Sequence, residues 1–157
     1  MQTISPFLWF DTQAEEAANF YVSIFPNSKI TSVSRYGEAG PGPAGGVMTI
    51  GFELDGQAFT GLNGGPHFKF TEAVSFVVHC QGQAQVDHYW DALTADGGQE
   101  SHCGWLKDRY GLSWQIVPQE FLDLMSDPDK AKVGRGMAAM MQMAKLDIAK
   151  LKAAAEG

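Results

Sequence analysis

Cationic side chains are scarce in this chain: 11 Lys and Arg stand against 18 Asp and Glu, for a formal net charge of −7. A nucleic-acid partner needs clustered Lys and Arg to meet its phosphates, so none is expected. An anionic membrane surface is excluded on the same ground. Cysteine is nearly absent, with only Cys80 and Cys103. That excludes a disulfide scaffold and suits a reduced, cytoplasmic setting with two free thiols. No apolar run approaches the ~20 residues that span a bilayer, so no membrane partner is expected. The stretch Met1–Pro6 lacks the basic region and apolar core of an export signal. Histidine is sparse too. His67, His79, His88 and His102 fall at no metal-ligand spacing, and each reads as an ordinary surface or half-buried histidine.

What is present is a chain of 157 residues, 45% hydrophobic and 18% charged, long enough for one well-packed domain or two small ones. Ile4–Phe10 reads as a buried strand entered through Pro6. Asp11-Thr12 with Glu15 and Glu16 marks a helix start. Ala14, Ala17, Ala18, Tyr21 and Phe25 then give that helix one apolar face. Strands follow over Lys29–Tyr36, Val47–Leu54 and Gln57–Leu62, with Asp55-Gly56 as a tight hairpin between the last two. A Gly/Pro loop, residues 37–46, separates the first two of these strands.

The order then repeats: a strand over Ala73–Cys80, a helix over Gln83–Ala95, short strand pieces around Glu100–Leu106, and a last strand from Tyr110 or Gly111 to Val117. Phe20-Tyr21 corresponds to His88-Tyr89 at a step of 68, and the Asp55 turn to the Asp108 turn at a step of 53. The 15-residue difference matches the Gly/Pro loop and its neighbours, so the second half reads as the first without that insertion. The fold class is therefore α+β: two βαβββ modules, residues 3–65 and 73–118. A helical extension over 119–157 follows, with Ser126 or Asp127 capping one helix and Asp147 the last. Met137, Met140, Met141 and Met143 are expected in core or dimer packing.

Some motifs dissolve on inspection. Gly40-Pro41-Gly42-Pro43-Ala44-Gly45 matches a nucleotide-binding glycine pattern, but two positions are prolines without an N–H, and a strand follows rather than a helix. Cys103, beside Trp105, reads as a small space-filling thiol. Polar residues interrupting apolar strands are more informative. Gln115 either bonds to backbone or faces a polar cavity. Phe7, Trp9, Thr60, Asn63, Ser75, Cys103, Trp105 and Gln115 are the candidate cavity residues. No catalytic residue is assigned.

Several strings, among them AEEAANFY at 14–21, FTGLNGGP at 59–66, CGWLKD at 103–108 and YGLSWQIVP at 110–118, resemble the PhnB-like family. That family also carries the label 3-demethylubiquinone 3-methyltransferase domain, and it sits in the vicinal-oxygen-chelate superfamily with glyoxalase I, extradiol dioxygenases and bleomycin-resistance proteins. The resemblance implies paired βαβββ modules whose curved mixed sheets surround a cavity, often within a homodimer. It also implies, for the superfamily's metal enzymes, four ligands from the first and last strands of each module. By strand position those places fall near Ser5 or Pro6, near Thr60, at Ser75 and at Gln115. Hydroxyls and one amide match a divalent metal poorly, so neither metal nor other cofactor is expected. The expectation is a small, partly apolar ligand in a cavity. A metal-dependent lyase or oxygenase, and the methyltransferase of the family label, are the alternatives.

Overall fold

The computed structural model describes residues 2–157. The chain divides into two compact units, Met1–Phe70 and Thr71–Gly157. In the first, the order is β1 (Phe7–Phe10), α1 (Ala14–Ile24), β2 (Lys29–Arg35), β3 (Val47–Leu54) and β4 (Gln57–Asn63). In the second it is β5 (Ser75–Cys80), α2 (Gln83–Thr94), β6 (Gln99–Glu100), β7 (Trp105–Lys107) and β8 (Ser113–Pro118), then α3 (Gln119–Met125), α4 (Lys130–Met140) and α5 (Ile148–Glu156). Each unit has one four-stranded mixed sheet that does not close, ordered β1-β4-β3-β2 and β5-β8-β7-β6. The outer pairs β1/β4 and β5/β8 are parallel, and the rest are antiparallel.

Period-2 alternation gives each sheet a packed face and an open one. In the first unit Leu8, Phe10, Ile50, Phe52, Leu54 and Phe59 are buried, as are Ala14, Ala17, Ala18 and Tyr21 of α1. The three alanines keep that helix close to its sheet. Phe52 stacks on Phe59 at 5.4 Å. Phe7 and Val33 on the strands remain exposed. In the second unit Val86, Trp90, Leu93, Leu106, Trp114 and Ile116 form the core, and Val77 is exposed. The Asp55-Gly56 hairpin has both residues at positive φ, 48° and 79°, as a two-residue turn between right-twisted strands requires.

Register supports the repeat. Phe7 lies beside Thr60 and Ser75 beside Ser113, so the steps from module to module are 68 and 53. Several boundaries differ from expectation. Ile4 is 86% exposed and outside β1, because the parallel pairing with β4 begins only at Phe7. Helix α1 is not capped by Asp11 or Thr12. Its first N–H, on Ala14, is taken instead by Asn63 Oδ1 at 2.8 Å from the end of β4. Asp129, rather than Ser126 or Asp127, caps α4, accepting from Ala131 and Lys132. Asp147 caps α5 as expected. The methionine run is not buried core: Met137 and Met141 are exposed, and Met140 and Met143 are half-buried.

Candidate functional site

The first unit contains a cleft of about 820 Å³. Its floor comes from β1, β3 and β4 through Trp9, Met48 and Leu62. Its sides are the start of α1, the Gly/Pro loop and the segment after β4. Trp9 is fixed on two sides. Its indole N–H donates to Gly65 O at 2.9 Å, and Phe68 meets the ring edge-on at 4.9 Å. Residue 64 must be glycine, because a Cβ there would overlap the Trp9 ring.

Tyr36 anchors the opposite wall and is 8% exposed. It extends the β2–β3 ladder, donating to Gly46 O and accepting from Gly45 N–H, both at 2.9 Å. Its hydroxyl donates to Asn63 O. Gly42 lies against the ring so closely that a Cβ would collide with it. The Gly/Pro loop is thus folded down onto one phenol ring, and Pro41 and Pro43 line the cleft. Asn63 joins all the walls. Beyond capping α1, its Nδ2 donates to Val47 O at 3.1 Å. Its amide is therefore committed to holding the cleft together. Asp11 and Glu15 line the mouth, both exposed, and His67 stands there as well.

Of the residues singled out from sequence, Trp9 and Asn63 line this cleft. Phe7 and Thr60 are register partners on β1 and β4 outside its lining. In the second unit Gln115 Nε2 donates to Ser75 Oγ at 2.9 Å. Trp105 is the cross-strand partner of Gln115. Trp105 and Ser113 border a small recess of about 160 Å³. At its edge Lys107 pairs with Glu72 and, chiefly by hydrogen bonding to it, draws the Glu72 carboxyl below the usual carboxylate range. Cys103 sits in a turn at φ 62°, its N–H donating to Met143 O at 2.8 Å, and does not border that recess. Sequence reasoning does not single out Tyr36, Met48 or Leu62 as cavity residues, and it reads His67 as an ordinary histidine. The loop absent from the second module was the available signal for them.

The module steps also test the metal positions. Ser75 corresponds to Phe7 and Gln115 to Leu62, since the pair Val77–Gln115 repeats Trp9–Leu62. By register the four places thus hold Phe7, Leu62, Ser75 and Gln115, rather than Ser5 or Pro6 and Thr60 alongside the latter two. Two offer no lone pair, and the other two are bonded to each other. Among the described residues no group of three or more His, Cys, Asp or Glu could hold a metal ion. This donor set does not fit a resident divalent cation.

Comparison with known proteins agrees with this architecture. The family model for 3-demethylubiquinone-9 3-methyltransferase matches residues 2–117, leaving the C-terminal helices outside. The PhnB protein from Bacillus cereus is 39% identical, with 74% of this chain and 99% of that one covered and a TM-score of 0.69. Protein PA1353 from Pseudomonas aeruginosa is 19% identical, over 75% and 98% of the two chains, with a TM-score of 0.61. The fosfomycin resistance protein FosX from Listeria monocytogenes is 15% identical, over 75% and 93%, with a TM-score of 0.51. The last two speak to the fold alone. No functionally curated protein matches the chain. With its two open sheets, its module register and this family match, the chain belongs to the PhnB-like, 3-demethylubiquinone-9 3-methyltransferase family.

Proposed function

We propose that this protein is a binding module for a small, partly apolar molecule, held without a resident metal or other cofactor. The cleft between Trp9 and the Tyr36-anchored loop is the observation that carries this reading. It has the size of a small-molecule site, aromatic and aliphatic walls, and few polar groups. Trp9 supplies contact area. Phe7 and Thr60 on the sheet of the first unit, and separately Ser75, Trp105 and Gln115 on the strands of the second with Cys103 in its turn, are proposed as further ligand contacts, with hydroxyl and amide groups orienting the ligand. Asn63 acts by fixing the walls. The poor donor set at Phe7, Leu62, Ser75 and Gln115 supports a metal-free site.

The test is elemental analysis of protein purified without chelator, together with calorimetric titration with S-adenosylmethionine. Substoichiometric metal and a flat titration are expected. Zinc, nickel, iron or manganese retained at one equivalent through dialysis would replace this reading with the lyase or oxygenase. Heat of binding with S-adenosylmethionine would favour the methyltransferase.

We also propose a homodimer, because Phe7, Val33 and Val77 leave apolar side chains exposed on the sheets. The cytoplasm is the proposed location: both cysteines are free, and no helix among the described residues is long and apolar enough to cross a membrane.

A further inference from the structure

We propose that the cleft of the first module selects organic cations: a compact apolar body carrying a protonated amine or a quaternary ammonium. This rests on the binding reading above and adds the charge of the ligand. The walls are apolar, built from Trp9, Tyr36, Met48, Leu62 and the loop prolines. The charge lies at the mouth. Asp11 and Glu15 line it, and neither enters an ion pair among the described residues. No lysine or arginine is among the lining residues, and His67 is the one basic side chain there.

One feature opposes a cation. Helix α1 begins at Ala14 and directs the positive end of its dipole toward this region. That end is equivalent to about half a positive charge, against two full carboxylate charges. Its first N–H is already satisfied by Asn63, so it offers less to an anion. The carboxylates prevail. The Trp9 indole lines the same cleft and suits an alkylammonium head, which is drawn to an aromatic ring's electron-rich face and needs no hydrogen-bond acceptor of its own. An anion of the same shape would meet repulsion at the mouth and find no cationic partner inside.

Three probes of similar size separate the possibilities: 2-phenylethylammonium, 2-phenylethanol and phenylacetate. Each is titrated into the full-length protein at low salt, following the Trp9 indole N–H resonance, assigned with the Trp9→Phe variant. The cation is expected to bind roughly tenfold more tightly than the alcohol, and phenylacetate more weakly than both. In the double variant Asp11→Asn, Glu15→Gln the advantage of the cation over the alcohol falls to about twofold or less. Added salt should narrow the gap in the same way. Equal binding of alcohol and cation would overturn charge selection and leave the binding module intact. Silence of the Trp9 resonance toward all three would overturn both.

Discussion

Asp108 is a carboxylate at 2% exposure that is satisfied by donors from its own turn and from β8. Oδ1 accepts from Tyr110 N–H at 2.8 Å and Leu112 N–H at 3.1 Å, and Oδ2 accepts from the Trp114 indole at 2.9 Å. Such bonds to a charged acceptor are stronger than neutral ones. Asp108→Asn turns an NH₂ toward the indole N–H, donor against donor. A loss of about 3 kcal/mol is expected from urea denaturation, with little change in volume to blame. Cys80 makes a second case. Burial pushes its thiol up to about 11, with Glu120 adding to the effect. In the unfolded chain a thiol ionises near its ordinary value, so the folded state holds its proton longer. The corresponding stability is complete below about pH 8.5 and is lost as pH rises toward 11. Under native conditions at pH 8, iodoacetamide should label the half-buried Cys103 and leave Cys80 unmodified until denaturant is added. Equal labelling rates by mass spectrometry would contradict this.

The elements were legible where local chemistry decided them. Strand β3 and helix α1 follow from alternation and from alanines at three- and four-residue steps, and the Asp55-Gly56 turn from its need for positive φ. What escaped was decided across distance. Nothing local reveals that Asn63 caps a helix 49 residues earlier, or that Tyr36 pins the loop following it. The C-terminal helices show the same limit. Gln83, at the first turn of α2, donates to Leu146 O at 3.0 Å and accepts from Ile148 N–H at 2.8 Å. It also bonds Asp87, and this, followed by the Lys145 ion pair at 2.8 Å, holds the Asp87 carboxyl below its usual range. That contribution is present above the ordinary carboxylate range and fades as pH falls through it. Deleting residues 147–157 removes buried Ile148, Leu151 and Ala155 and frees Arg135, which donates to Ala155 O at 2.9 Å. About 4 kcal/mol should go with them, lowering Tm by about 10 °C in a thermal melt.

For the whole molecule, duplication is the organising fact, and its asymmetry bears on function. Both modules keep the same strand order and register, but only the first carries the insertion that walls the large cleft. The proposed homodimer predicts a particle of about twice the 17.0 kDa chain mass by size-exclusion with light scattering at micromolar concentration. A monomer would count against it.

The joint at Asn63 carries a chemical hazard as well as a mechanical load. Asn63 is followed by Gly64, the pairing in which a backbone nitrogen most readily attacks the preceding side-chain amide to form a succinimide. In the folded chain that nitrogen is held to Phe10 O at 2.9 Å and the amide is gripped at both ends. Each excursion to the unfolded chain releases both restraints. The ring forms with loss of ammonia and is opened by water to aspartate or isoaspartate; either way the Nδ2 donor to the Val47 carbonyl is replaced by an anionic oxygen, so ageing at this one dipeptide would make heat damage progressively irreversible.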